Sequence, residues 1–462
     1  MLLVRAGTVF VISFNIAMCA AVIFFRVLDG GDNLHNVLLA QSVVALTLVL
    51  THSAAWFRQG GGDLSLAYVF FLMVFIFNCG KSLLFVFYPF SSISFFTFFN
   101  ENDYQLIVQA SEYSLVGMLV LSSAMLLTQY TKAPQQVAPT NIQLFAAQLT
   151  GGVFMLVSVP AAIIDLQAML LLVLQGGYFA LYSTEQTYGA AGIVKVLSYF
   201  LFPSLFISII AFRKNKALVY AIIIFAVIYT LVRLAMGGRL NALIPFIVLM
   251  SLWDVTIRRL NRTFIYATSA IMISIVFPAL SVFRTGVGEA TTPHESGSGL
   301  FNIIKEMSDS IGPLAWTIQR VPTDYDFLYG HSFYLALTTA MPNFFWDVHP
   351  AKEGSLAKWL VHEVNPWIAE AGGGYGFSIF AEMYLNFNWF GMLALFVVGY
   401  FTTRLAIVKT NPINTAFCFA CFIGLMLWPR GEVLGVGRFI LWHVGIPWLF
   451  YHAAIFAFGR FR

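Results

Sequence analysis

Charged residues are scarce in this sequence. Asp, Glu, Lys and Arg make up 10% of its 462 residues, whereas 59% of the residues are hydrophobic. A soluble domain carries roughly 25% charged residues, so this chain has too few of them to cover itself with a hydrated surface. We therefore predict that most of the chain lies in a lipid bilayer. The net charge of +4 is small and scattered, which gives no reason to expect a nucleic-acid partner.

Cysteine is also rare, and all four cysteines fall within apolar runs. Cys418 and Cys421 have the C-x-x-C spacing, but no second pair and no nearby histidine completes a metal site. No Asp-rich pair lies on the first outer loop to hold a divalent ion, and Asp29 and Asp32 come closest to such a site. We therefore predict packing cysteines, no metal and no cofactor.

Several catalytic signatures are missing. The sequence contains no G-x-x-x-x-G-K-[ST] phosphate loop, no G-x-S-x-G nucleophile elbow and no H-E-x-x-H zinc motif. These absences argue against an ATP-driven pump, a hydrolase of the elbow type and a zinc protease.

Long apolar segments dominate what is present. Twelve of them approach the length of about 20 residues that a helix needs to cross the hydrocarbon, which predicts an all-α polytopic membrane protein with about 12 transmembrane helices. The predicted spans are 7–25, 37–57, 66–88, 110–128, 142–164, 193–212, 217–236, 240–256, 264–282, 376–403, 413–428 and 438–457.

The basic residues predict an orientation for these spans. When the N-terminus is placed in the cytoplasm, both termini lie inside and most loops on that side are basic, as the positive-inside rule requires. The loop residues concerned are Arg58, Lys132, Arg213, Lys214, Lys216, Arg258, Arg259, Arg262, Arg404 and Lys409.

The largest polar block lies between the ninth and tenth spans. We therefore predict a membrane domain at 1–282 with helices 1–9, an outer loop domain at 283–375 and a second membrane domain at 376–462 with helices 10–12. Apolar residues recur at helical spacing over 301–320 and 356–364, which predicts short amphipathic helices on the outer surface. A second outer stretch, 165–192, is predicted to lie at the membrane interface.

Basic residues at the outer ends of the spans have no role in orientation. A charged group in the hydrocarbon costs about 2.5–3.5 kcal/mol even on the gentler scales, so groups kept near it usually face a partner or a ligand. Guanidinium groups bind phosphate oxygens in bidentate fashion, which predicts a pyrophosphate site. The alternative is that each one reaches ordinary lipid phosphates or pairs with a local carboxylate. The outer residues are Arg26, Lys195, Arg233, Arg239, Arg284, Arg430 and Arg438, and the predicted clamp is Arg239, Arg284, Arg430 and Arg438.

Three further residues are candidates for the chemistry. Glu432 lies in the turn 428–438, between Arg430 and Arg438, and is predicted to orient these arginines. Glu382 falls one to two turns into a predicted span, where it either pairs with a group such as Arg430 or accepts a proton from a hydroxyl. His349 is the other candidate base, with Asp347 beside it, and its alternative is a solvated loop histidine.

Four passages resemble a known family. They are Gly176-Gly177 with the tyrosine-rich loop that follows, the stretch 237–241 (Gly-Gly-Arg-Leu-Asn), the stretch 378–386 after a glycine run, and Arg430-Gly431-Glu432 with Arg438. In their order, and with the large outer loop, the chain is similar to the Wzy class of O-antigen and related oligosaccharide repeat-unit polymerases, which includes the enterobacterial common antigen polymerase.

This resemblance implies a glycosyltransferase of the bacterial inner membrane with a GT-C-like helical fold and a site that faces the periplasm. Such an enzyme moves the growing glycan from its undecaprenyl-pyrophosphate carrier onto a sugar hydroxyl of the next lipid-linked repeat. It implies outer-face arginines and no metal, with membrane lipids around the protein and a chain-length co-polymerase as a candidate partner.

Two other functions are compatible with the same number and orientation of spans. Twelve spans with both termini inside also describe secondary transporters and flippases for lipid-linked oligosaccharides, although those have short outer loops and two similar halves. An O-antigen ligase shares the fold and the donor and differs in its acceptor, the lipid A core.

Overall fold

The described residues form helices joined by turns, with no strand among them. This computed structural model describes residues 2–30, 33–87, 104–129, 135–176, 190–272, 274, 304–305, 307–339, 341, 354–370 and 372–460. The helices are α1 Leu2–Asp29, α2 Leu34–Arg58, α3 Leu66–Phe87, α4 Tyr104–Thr128, α5 Asn141–Gly176, α6 Ala190–Ser198, α7 Leu201–Ala211, α8 Lys216–Ala235, α9 Arg239–Thr256, α10 Arg262–Ile271, α11 Ile311–Arg320, α12 His331–Thr338, α13 Leu356–Val364, α14 Pro366–Glu370, α15 Ile379–Phe387, α16 Gly391–Ala406, α17 Pro412–Leu425, α18 Val433–Arg438 and α19 Gly445–Gly459.

Within these ranges, ten helical segments are long and apolar enough to cross a membrane. The segment Leu66–Ser82 is apolar but shorter. Together they match every predicted span except the ninth, so the prediction of an all-α polytopic membrane protein is confirmed. The ninth span, 264–282, lies mostly outside the described residues, and the count of twelve stays a prediction. The ten segments are Ala6–Asp29, Leu34–Arg58, Tyr104–Thr128, Asn141–Gln175, Gly192–Ala211, Lys216–Ala235, Arg239–Thr256, Ile379–Ala406, Pro412–Arg430 and Val433–Gly459.

One helix is much longer than its predicted span. The sequence predicts a span at 142–164 that ends before the polar Asp165, yet α5 continues as one helix of 36 residues to Gly176. Asp165 is accommodated because the Ser198 hydroxyl donates a hydrogen bond to it at 3.4 Å, with Arg233 and Lys195 close enough to act on its charge. A charge that finds such partners does not have to end a helix.

Two hydrogen bonds show which helix ends lie together. Ser251, near the end of α9, donates to the Leu64 carbonyl at 2.7 Å, in the turn between α2 and α3. Asn78, in the second half of α3, donates to the Pro429 carbonyl at 3.2 Å, just beyond α17. The start of α9 at Arg239 therefore lies at the same end of the bundle as residue 429. We call this end the arginine face, and the other end, with Leu64 and the start of α17, the opposite face.

Part of the outer block 283–375 is described, and it packs on the arginine face. The Leu328 amide donates to the Leu385 carbonyl at 2.9 Å, and the Gly330 amide donates to the Asn386 side chain at 3.0 Å. Lys81, itself buried, forms an ion pair with Asp309 at 2.6 Å. These bonds join the block to helices of both predicted membrane domains, and the division into three domains stays a prediction.

Both helices predicted in this block exist. The sequence predicts a helix within 301–320, and α11 begins at Ile311 after a 3₁₀ turn at Ser308–Ser310. Its residues 311–317 are buried against α4 and α15, so this helix packs into the bundle and does not lie on the outer surface as predicted. The predicted helix at 356–364 is α13, and the Ser355 hydroxyl caps its first turn.

A glycine allows α18 to pack closely on α12. A Cβ atom at Gly437 would lie 2.9 Å from the Ala336 Cβ and 3.0 Å from its carbonyl oxygen. We expect Gly437→Ala to destabilise the protein by about 1–3 kcal/mol, since neither atom belongs to a flexible side chain. Gly435→Ala is the matched control, because a Cβ there meets nothing within 4 Å. Equal thermal unfolding midpoints for the two variants in detergent would contradict this account.

Candidate functional site

The turn between α17 and α18 is the centre of the candidate site. It comprises a 3₁₀ turn at Trp428–Arg430, then Gly431 and Glu432. Its backbone is held from two sides, since Asn78 donates to the Pro429 carbonyl and the Phe377 amide donates to the Arg430 carbonyl at 3.3 Å. The Ser378 hydroxyl in turn donates to Asn78 at 2.5 Å. Segments that are far apart in the sequence thus fix the position of residue 430.

Glu382 stabilises the same turn through hydrogen bonds. Its carboxylate is fully buried, and one oxygen accepts hydrogen bonds from the Trp428 indole at 2.7 Å and from the Val433 amide at 2.9 Å. The second oxygen is also buried and accepts no hydrogen bond from any residue that the structure describes. Glu382 therefore joins both ends of the turn to α15.

A glycine lets the preceding segment lie directly over Arg430. Gly376 has a φ of +75°, a conformation that residues with a side chain rarely adopt. A Cβ at this position would also lie 2.9 Å from the Arg430 carbonyl oxygen and 3.4 Å from the Arg430 Cγ. The backbone at Gly376 therefore lies directly beside the arginine.

The Arg430 side chain is available to a ligand. It is half-buried, and its guanidinium makes no hydrogen bond and no ion pair with any residue that the structure describes. The hydrogen bonds that hold the turn involve its main-chain atoms, so the side chain is not needed to maintain the turn. A half-buried cation of this kind suits an anionic group such as a phosphate.

Glu432 binds to a helix of the outer block. One carboxylate oxygen accepts from the Ser355 hydroxyl at 2.8 Å, and the other accepts from the Leu356 amide and, at 3.3 Å, from the Ala357 amide. An anion at the start of α13 satisfies amides that have no partner within the helix. Burial raises the pKa of this carboxyl, although these bonds and the charge of Arg438 act in the opposite direction. No ion pair joins Glu432 to either described arginine of the turn within 4 Å.

The charges of Arg438 and Arg233 both act on Tyr199. Arg438 is exposed at the end of α18, and its charge acts on Tyr199. Arg233 donates to the Tyr229 hydroxyl at 3.1 Å, and its charge also acts on Tyr199, as does that of Asp165. The structure therefore brings Arg233, which the sequence analysis left out of the clamp, towards the same tyrosine as Arg438.

The remaining predicted residues are placed as follows. Arg239 begins α9 at the arginine face and is half-buried. Arg284, His349 and Asp347 lie outside the described residues. Arg26, an outer arginine without a predicted role, forms an ion pair with Glu112 of α4, so a local carboxylate accounts for it. No group of three metal-binding side chains occurs in the described ranges.

The sequence analysis assigned no role to three polar residues of the site. Asn78 and Asn386 are fully buried, and each joins two separate segments. Lys81 is buried in α3 and holds Asp309. The available signal was the presence of Asn78, Lys81 and Asn386 within or beside apolar runs, where an unpaired polar group is costly.

The fold and the site define a multi-pass membrane protein that presents basic side chains from separate helices at one face. The family model for O-antigen polysaccharide polymerase Wzy matches residues 8–457, so the chain belongs to this family of polysaccharide polymerases. This confirms the resemblance found in the sequence. No curated protein and no solved structure matches the chain.

Proposed function

We propose that the protein polymerises undecaprenyl-pyrophosphate-linked oligosaccharide repeat units into O-antigen or a similar surface polysaccharide. The observation that carries this proposal is the Arg430 guanidinium, which is half-buried at the arginine face without a partner among the described residues. A pyrophosphate on a membrane-embedded carrier would approach from the lipid at that level. The family membership supports the type of product, a polysaccharide.

The chemical step requires charge stabilisation more than covalent catalysis. The acceptor hydroxyl oxygen forms a bond to the anomeric carbon of the donor, while the bond from that carbon to the pyrophosphate oxygen breaks. The pyrophosphate leaves on its lipid carrier with increased negative charge, which guanidinium groups held in place would stabilise. We assign this role to Arg430, with Arg239, Arg438 and Arg284 as the other members of the clamp.

A base must take the proton of the attacking hydroxyl. His349 is our candidate, because Glu382 already accepts two hydrogen bonds in a fully buried position. We assign Glu382 to positioning of the 428–433 turn. Glu432 has a similar part, since it holds α13 of the outer block against the turn that carries Arg430. The block would then cover the site and exclude water, which would otherwise end the chain by hydrolysis.

The proposed location is the bacterial inner membrane, with the arginine face towards the periplasm and both termini in the cytoplasm. This orientation is supported by basic residues at helix ends of the opposite face, such as Arg58, Arg213 and Arg404. A chain-length co-polymerase remains a proposed partner.

An assay with purified protein tests the function. Protein in nanodiscs is mixed with a synthetic lipid-pyrophosphate oligosaccharide repeat, and the products are separated by size. A ladder of products that differ by one repeat is expected. A single transfer onto added lipid A core would favour a ligase instead. Movement of the lipid-linked sugar across vesicles without any new bond would favour a flippase.

A further inference from the structure

A second site lies at the opposite face, away from the arginine turn. There the start of α5 with the residues before it, the turn between α16 and α17, the first part of α17 and a stretch of residues 440–448 line a cavity of about 890 Å³. This size is within the range of ligand-binding pockets, roughly 300–1,000 Å³. Nothing in the proposed polymerase chemistry uses this space.

The cavity has a polar mouth and an apolar floor. Arg404 and Lys409 are at the mouth, and the Lys409 ammonium donates to the Arg404 carbonyl at 2.5 Å, which draws the two residues together. The apolar lining includes the buried side chains of Phe417 and Cys421 and the exposed Trp448. A ligand that fills it must therefore be amphiphilic, with its polar end at the surface.

The charge of the lining selects an anionic headgroup. Arg404 and Lys409 both line the cavity, and no Asp or Glu is among its lining residues. The Arg404 guanidinium makes no hydrogen bond or ion pair within the described part of the chain. Basic side chains at a membrane surface attract anionic lipids, and each strengthens binding.

The depth of the cavity matches a single leaflet. Its lining on α17 runs from Asn411 to Cys421, which is about 15 Å along a helix that rises 1.5 Å per residue. This is half of a hydrocarbon core of roughly 30 Å. An acyl chain that enters beside the mouth would therefore end near the floor at Cys421.

We propose that this cavity binds an anionic phospholipid, with its headgroup on Arg404 and Lys409 and an acyl chain against Phe417 and Trp448. The site is distinct from the substrate site and does not rest on the proposed reaction.

A native cysteine reports on occupancy. Cys418 lines the cavity and is half-buried, whereas the other three cysteines are buried. Purified protein in neutral detergent is titrated with phosphatidylglycerol or phosphatidylcholine, and the rate of N-ethylmaleimide addition is followed by intact mass. The Cys418→Ser variant gives the background from the other thiols. We expect phosphatidylglycerol to slow the modification of Cys418 and phosphatidylcholine to leave it unchanged.

The basic residues provide the decisive comparison. The double variant Arg404→Gln/Lys409→Gln should need roughly thirtyfold more phosphatidylglycerol for half-protection. The control Arg213→Gln/Lys214→Gln removes two exposed basic residues at the same face, outside the cavity, and should behave as the unaltered protein. Equal modification rates without lipid, and a single gel-filtration peak, show that the variants are folded.

Three results would overturn the proposal. They are protection by phosphatidylcholine as strong as by phosphatidylglycerol, an unaltered titration of the Arg404→Gln/Lys409→Gln variant, and protection by undecaprenyl phosphate alone. The last result would make the occupant a form of the carrier and not a membrane phospholipid.

Discussion

Replacement of Arg430 by alanine is expected to abolish the ladder of products while the protein remains in the membrane at its normal level. Removal of one preorganised donor from a developing oxyanion typically lowers a rate by about 10²–10³, or roughly 3–4 kcal/mol. The fold should tolerate the change because residue 430 is held through its main chain, by the Phe377 amide and the bonds around Pro429, which alanine retains.

Two variants sharpen this test. Arg430→Lys keeps the charge but loses the bidentate fork, so its rate should lie between those of the unaltered protein and Arg430→Ala. Arg213→Ala removes an exposed arginine at the opposite face and should leave the ladder intact. Arg239→Ala is expected to resemble Arg430→Ala. Normal long glycan from both Arg430→Ala and Arg239→Ala would remove the proposed clamp.

Replacement of Glu382 by alanine should have the largest effect on the fold of the site. The Trp428 indole and the Val433 amide would both be left buried without their acceptor, at a cost of about 1–3 kcal/mol each. We expect a lower thermal unfolding midpoint and no ladder, because the turn that carries Arg430 would lose its support on α15.

Glutamine separates positioning from base catalysis at this position. Glu382→Gln retains an oxygen that can accept from the Trp428 indole and the Val433 amide, but it cannot take a proton from a hydroxyl. If Glu382 positions the turn, the glutamine variant should keep most of the turnover and most of the stability that alanine loses. A glutamine variant with a normal unfolding midpoint and no turnover would identify Glu382 as the base.

A double-mutant cycle tests the contact between Trp428 and Glu382 independently. Trp428→Phe removes one donor to Glu382, so its effect should be much smaller in a Glu382→Ala background than in the unaltered protein. Additive effects on the unfolding midpoint would show that the two side chains act separately.

Hydropathy and charge predicted much of this architecture. The apolar runs located the membrane helices, and the turn 428–438 was identified because it places charges between two such runs. The glycine run noted before residue 378 also precedes a real helix start, since α15 begins at Ile379. Each of these signals is local, since it depends on composition over one or two turns of helix.

The partners of the charged groups were not predictable in the same way. A buried Glu382 implies a partner, but the sequence offered arginine, and the actual partners are an indole and an amide of the turn. Glu432 binds Ser355 and the first amides of α13, which lie more than seventy residues earlier in the chain. The span predicted at 142–164 stops before Asp165, yet α5 continues through this residue, which accepts a hydrogen bond from Ser198 of another helix. Such contacts depend on tertiary packing, which no local pattern contains.

The length of α5 links the protein to the thickness of its membrane. Apolar side chains are exposed along this helix from Phe145 to Leu174, a distance of about 44 Å at 1.5 Å per residue. A hydrocarbon layer of roughly 30 Å covers that distance only if the helix tilts, bends at Pro160 or draws thicker lipid around itself. Lipids with longer or shorter tails would therefore change the tilt of α5, and with it the distance between Asp165 and Arg233.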